Sequence, residues 1–268
     1  MTIDKAVEIV VKRDRIVVIG ALCGVVALSW AYVLAGAGMN MSAIEMTRLT
    51  SGEAGMDMMM PAIWDLGYAG VMLVMWWVMM IAMMLPSAAP MVLLFAAINR
   101  KKKESGNPYV PTALFASAYV IVWAGFSMAA VAVQWGLESM AGLSPMLASA
   151  SVVLGGSLLL AAGIYQLTPL KQACLTHCRS PLQFILTRWR VGAKGAFRMG
   201  FEHGAYCVGC CWFLMGLLFF GGIMNLYWIT GLAVFVLLEK TIPAGHWVSQ
   251  LVGIALIVWG IVVLTGLA

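Results

Sequence analysis

Apolar runs long enough to cross a bilayer recur along this chain, and its basic residues gather in the short polar stretches between them. The first run, 16–35, follows Lys5, Lys12, Arg13 and Arg15, so it predicts a retained anchor with a cytoplasmic N-terminus. The second, 62–99, ends in Arg100-Lys101-Lys102-Lys103, the strongest orientation mark in the sequence. Pro86 and Pro90 fall inside this run and predict a kinked or ended helix with carbonyls freed in its inner half. Further runs at 112–137, 146–167, 200–221, 224–238 and 245–267 alternate across the membrane so that every strongly basic loop lies on one face. The pattern predicts an all-α polytopic transmembrane bundle of about seven helices, with a re-entrant 224–238 and six helices as the competing count. It reads as one integral membrane domain over 1–268, with a methionine-rich outer loop at 36–61 and a basic inner loop at 168–199.

Composition narrows the picture. Of 268 residues, 63% are hydrophobic and 10% charged, where a soluble domain carries about a quarter. No soluble domain of useful size fits between the runs. The net charge of +5 is therefore a topology signal for loops beside anionic membrane lipids, and nucleic acid is excluded as a partner.

The 62–99 run is also where candidate chemistry starts. Met75, Met79 and Met83 recur at steps of four, with Met80 and Met84 beside them, so a helix stacks their thioethers along one face. Thioethers are soft, uncharged donors suited to Cu(I) and tolerable at low dielectric, which makes this face a candidate metal relay. Taken singly, each methionine reads as a packing residue. In the outer loop, Met39, Met41, Met46, Met56, Met58, Met59 and Met60 stand among Glu45, Glu53 and Asp57, where packing gives less reason for them. As a group they resemble a low-affinity collecting surface for Cu(I).

Cysteine and histidine supply the second candidate. Cys174, His177 and Cys178 fall within one helical turn of the inner loop. Where the 200–221 run enters the membrane, His203, Cys207 and Cys210 share a face with Cys211 at its edge. Both segments flank the same inner loop, so they can meet as a site for copper or, alternatively, zinc. The competing reading is compact packing of small thiols, with Gly204, Gly209 and Gly216 letting a neighbouring helix approach. Glu202 and Glu239 are candidate carboxylates standing behind the ligands. Glu239 with Lys240 equally reads as a helix-end pair at the headgroups, the lysine reaching out to water. Cys23, alone in the first run, reads as packing. Phosphate-loop, aspartyl-phosphate and haem-attachment signatures are missing, and three histidines leave little for a histidine-rich oxidase.

The Met-Met-x-Ala-Met-Met-x-Pro pattern at 79–86, the Cys174 to Pro181 string and Cys207-Val208-Gly209-Cys210-Cys211-Trp212 together resemble a bacterial domain-of-unknown-function family. That family is labelled predicted metal-binding integral membrane proteins. The resemblance runs from about the second span to the end of the chain. It implies a multi-pass protein of the bacterial inner membrane with a metal-binding role. The favoured reading is a copper-handling protein that binds Cu(I) through its Met and Cys/His clusters for transfer or delivery to a protein partner. The alternative is an integral subunit of a larger membrane metalloenzyme complex, and a thiol-redox role for Cys207, Cys210 and Cys211 is a third. Binding is favoured over an enzymatic activity of its own.

Overall fold

A computed structural model describes residues 3–39, 41–50, 64–104, 111–140, 143–144, 147–149 and 151–266. In chain order the helices are α1 (Ile3–Leu34), α2 (Ala43–Thr50), α3 (Leu66–Glu104), α4 (Thr112–Ser139), α5 (Val152–Leu167) and α6 (Pro169–Arg179). They continue as α7 (Pro181–Arg188), α8 (Gly192–Gly216), α9 (Leu218–Gly221), α10 (Leu226–Thr241) and α11 (Gly245–Thr265). Among the described residues the only β element is an isolated bridge, Leu143 to Ser149. The fold is all-helical, as the apolar patterning predicts.

Among the described residues, five helical stretches are long and apolar enough to cross a membrane: Arg15–Leu34, Leu66–Lys101, Thr112–Ser139, Gly192–Gly221 and Gly245–Thr265. A sixth arises if α5 and α6, bent by 66° at Thr168, are taken as one broken span. Against about seven predicted helices, the difference lies at α10, whose 16 residues reach only about 24 Å. The α5–α6 bend has a local cause. Thr168 takes an extended conformation, its side chain accepts from Lys171 N, and Pro169 follows as the first residue of α6.

Helix α3 is the most enclosed of the candidate spans and α1 the least. It runs unbroken for 39 residues, so neither Pro86 nor Pro90 ends it. Pro86 has no N–H and withdraws the donor that Ala82's carbonyl would receive. Around α3 pack α1, α4 and α10, while α8 packs on α4 and α6. The closest helix pairs are made by glycine. A Cβ at Gly163 would stand 2.7 Å from the Gly253 carbonyl, and one at Gly260 would stand 3.0 Å from the Gly156 carbonyl, so α5 and α11 touch backbone to backbone. Gly204 does the same service between α8 and α4, facing Tyr119 and Val122, and Gly209 admits the side chain of Cys174. Gly216 differs from the prediction, because nothing stands within 4 Å of its missing Cβ. Cys23 differs too, being exposed on α1 and not packed.

The predicted outer loop is partly helical. Ser42 and Glu45 form a reciprocal cap at the start of α2: Ser42 N and Oγ donate to Glu45 Oε2 at 2.8 and 2.7 Å, and Glu45 N donates to Ser42 Oγ at 3.3 Å. These bonds hold the Glu45 carboxyl below its ordinary value. Helix α2 docks on α10, where Thr47 Oγ1 accepts from Leu226 N at 2.9 Å. Met46 is buried and Met39 and Met41 pack partly against the core. Met56, Met58, Met59 and Met60 lie outside the described residues.

Candidate functional site

The methionine face of α3 points inward. Met72, Met75, Met79, Met80, Met83 and Met84 are each buried to 1% exposure or less, within one continuous core. Steps of four on a straight helix put them in adjoining rows, and tertiary packing has turned both rows away from the surroundings.

At one end of the rows the thioethers meet the cysteines. Met84 Sδ lies 3.9 Å from Cys211 Sγ on α8. Cys211 and Cys210 both donate to the Cys207 carbonyl, at 2.8 and 3.1 Å, which turns the three sulfurs about a single turn of α8. Across from them α6 brings Cys178, whose Sγ is 4.0 Å from Cys210 Sγ. Cys174, one turn earlier on α6, rests against Gly209. Helix α6 is held in place by three ties. Tyr165 OH, just before the bend, donates to the Gly209 carbonyl, and Arg179 donates to the carbonyls of Ile242 and Pro243. The third is Lys171, whose ammonium reaches Glu239 Oε1 at 2.6 Å and also Gln166, with lysine and glutamate both fully enclosed.

Two further side chains complete the pocket, and neither was singled out as a site residue by the sequence. The Tyr119 hydroxyl of α4 donates to the Met84 carbonyl at 3.2 Å and stands 3.0 Å from Cys207 Sγ. Lys240 Nζ donates to Cys207 Sγ at 2.9 Å and to Ser87 Oγ at 3.3 Å. The expected headgroup pair of Glu239 and Lys240 is thus not formed. Consecutive on α10, they diverge by about 100° and each is buried on a different partner. A lysine directly after a glutamate at the end of a short apolar helix was the available sign. Nothing in the sequence marked Tyr119.

The other candidate residues divide. His203 is buried between the rings of Tyr119, Phe115 and Phe184, and its Nδ1 has no hydrogen-bond partner. It shares Tyr119 with Cys207 and sits one turn away from it, at the edge of the pocket. His177 turns aside, its ring stacked on Tyr206 at 4.1 Å and its Nδ1 2.9 Å from the Ala173 carbonyl. Glu202 is drawn to the surface by Arg188, Arg190 and Arg198 at 3.7, 3.3 and 3.1 Å. Among the described residues, no three His, Cys, Asp or Glu side chains are gathered as a ready metal cage. What the fold gathers is sulfur, thiol beside thiol and thiol beside thioether.

The opposite end of the methionine rows carries a different network. Gln134 of α4, fully buried, donates to Met72 Sδ at 3.4 Å and to Glu138 Oε1 at 2.8 Å, and accepts from Trp76 Nε1 at 2.8 Å. Trp64 Nε1 donates to the second Glu138 oxygen at 2.7 Å. Neither Gln134 nor Glu138 was singled out from the sequence; a lone amide inside the apolar 112–137 run was the available sign, because polar groups in such runs are costly.

An all-helical chain enclosing a column of soft sulfur donors is the class that fold and site define. The chain belongs to the copper chaperone family PpoB2, whose model matches residues 73–263. Helices α4, α6, α8 and α10 lie wholly within the matched stretch and α3 from residue 73 onward, whereas α1 and α2 precede it. The match agrees with the metal-related part of the resemblance drawn from the motifs. Comparison with curated proteins and with solved structures gives no match.

Proposed function

We propose that this protein is a polytopic inner-membrane copper chaperone that carries Cu(I) as cargo along the thioethers of α3. On this reading the pocket formed by Met84, Cys178, Cys207, Cys210 and Cys211 holds the ion until a protein partner takes it. One observation carries the reading: the contact between Met84 and Cys211, residues far apart in sequence, joins the methionine rows and the cysteine cluster into one buried sulfur tract. At its cysteine end, Met84 with Cys211 at 3.9 Å and Cys178 with Cys210 at 4.0 Å lie at separations one ion can bridge. Sulfurs 4.0 Å apart, as in Cys178 and Cys210, are spanned by a single ion bonded at about 2.3 Å to each. Thioethers bind weakly enough to pass an ion on, while thiolates hold it, so the tract has a conducting part and a retaining part. Cys174 stands as a further donor at the rim, His203 beside the pocket, and His177 contributes by packing.

The test is copper content after anaerobic loading of the full chain in detergent. A Cys207→Ala/Cys210→Ala variant is expected to lose the tightly held copper while keeping its helical circular dichroism. Wild-type protein that takes up no Cu(I) would overturn the reading. So would a double variant that retains full copper content.

A further inference from the structure

We infer that α6 is a hinged strap over the cysteine pocket, and that its release at the Arg179 end sets the rate at which the bound ion is handed on. The inference rests on the reading that the pocket holds Cu(I), and concerns how the ion leaves.

A partner can take an ion only where donors reach the surface. Cys207, Cys210 and Cys211 on α8 are exposed by 1% or less, whereas Cys174 and Cys178 on α6 are only partly buried. Cys178 lies 4.0 Å from Cys210 and Cys174 rests against Gly209, so on this side α6 is what covers the buried thiols.

Packing alone holds this cover weakly. Of its 11 residues only Lys171 and Leu175 are buried, so a single leucine is the large apolar side chain it encloses. Helix α8 encloses Met199, Leu214 and Met215 besides its cysteines. Local opening costs least where buried apolar contacts are fewest. Both ends of α6 are jointed. Thr168 (φ −73°, ψ 147°) and Ser180 (φ −117°, ψ 65°) leave the helical conformation, and each is followed by a proline that starts the next helix. The helix is capped at both joints on its own account, by Lys171 N on Thr168 Oγ1 and Ser180 N on the Thr176 carbonyl, so it can move as one rod.

What keeps it down is polar. Near the first joint Lys171 pairs with Glu239 in a fully enclosed place, while Tyr165 belongs to α5 and stays behind. At the far end Arg179 donates to the carbonyls of Ile242 and Pro243, just where α10 ends and its last carbonyls have no helical donor. That second tie is exposed, so water or a partner can replace it. The enclosed pair serves as pivot and the arginine as catch. Opening at the catch lifts neighbouring Cys178 from Cys210 and parts the His177 ring from Tyr206, while Cys174, nearer the pivot, moves less. A helix that merely completed the wall would lose stability without Arg179 and leave transfer unchanged.

The experiment uses the full-length protein in detergent and compares wild type with Arg179→Gln, a change outside the metal donors. Cu(I) is loaded anaerobically, and its transfer to a chromophoric chelator is followed by stopped flow. Arg179→Gln is expected to speed loading and release alike by about tenfold, the order for losing one charged hydrogen bond, with equilibrium affinity unchanged. A catch alters both rates together, whereas a residue that stabilises the bound ion alters their ratio. Unchanged rates, or a change in affinity alone, would overturn the inference while leaving copper binding intact. Hydrogen–deuterium exchange on the metal-free protein reads the opening without copper. Arg179→Gln is expected to quicken exchange across 170–179 and leave 203–214 as in wild type. No quickening, or equal quickening of both segments, would overturn the strap. No Cu(I) uptake by wild type would overturn the copper reading and the handing-on with it, and the exchange would still decide whether α6 opens by itself.

Discussion

The two ends of the methionine column are closed by side chains of opposite character. Near Met72 the thioether receives a hydrogen bond from Gln134, which is chained to the Glu138 carboxylate and braced by Trp64 and Trp76. Near Met84 the neighbours are thiols, and the charge beside them is the Lys240 ammonium. The thioethers between carry no charge, so they give the column no electrical direction of their own. The caps supply it, a carboxylate that attracts a cation at one end and an ammonium that repels one at the other. On the proposed reading, an ion kept at the Met84 end needs thiolates there to offset that ammonium.

The largest expected effect comes from the tie that holds α6 over the cysteine end. Lys171→Met leaves Glu239 as an unpaired buried acid and is expected to cost about 3–5 kcal/mol, read as thermal unfolding in detergent. Lys171→Met/Glu239→Leu should recover most of that loss. A double variant as unstable as the single one would mean the pair is not the tie. At the other end, Gln134→Leu strands the Trp76 donor and part of Glu138, at an expected cost of about 1–3 kcal/mol. Copper held by the cysteines should be unaffected, and a loss of it would show that the two ends are not separable.

Within the column, Met79→Leu/Met83→Leu conserves volume and is expected to cost less than about 1.5 kcal/mol. Transfer of Cu(I) across liposomes or to an acceptor chelator should slow all the same. Normal transfer would assign these thioethers to packing alone. The smallest effect is expected at the α2 cap. Because Ser42 depresses the Glu45 titration below its ordinary 4.5, the cap's contribution is full above that value and is lost as pH falls through the depressed one. Ser42→Ala should raise the Glu45 titration toward its ordinary value in carbon-detected NMR, with the residue-42 backbone N–H keeping part of the depression, and leave the column unchanged.

Much of this arrangement was readable from local pattern. A step of four placed the methionines on one face of α3, and a single turn of α8 placed Cys207, Cys210 and Cys211 together, because helix geometry alone fixes both. What the pattern could not supply was the partner of each face. Lys240 read as a residue reaching for water, since a lysine at a helix end usually does. Its inward turn depends on Ser87 and Cys207 arriving from two other helices. His177 had the right spacing for a ligand and Glu202 for a carboxylate behind one, yet Tyr206 and three arginines claimed them, and those competitors are set by packing at the α6–α8 surface. The 16-residue α10 shows the same limit: an apolar run reveals a helix but not whether it spans.

The glycine contacts between α5 and α11 carry a consequence for how the chain would respond to random variation. Where backbones touch at Gly163 and Gly260, even one added methyl has no room, although nothing there does chemistry. The supple methionines of α3, by contrast, accept other apolar residues of their size. A saturation library sorted only for correct insertion would therefore rank the chemically idle helix pair as the intolerant heart of the protein. The sulfur column would emerge as essential only when the library was sorted for growth that depends on delivered copper.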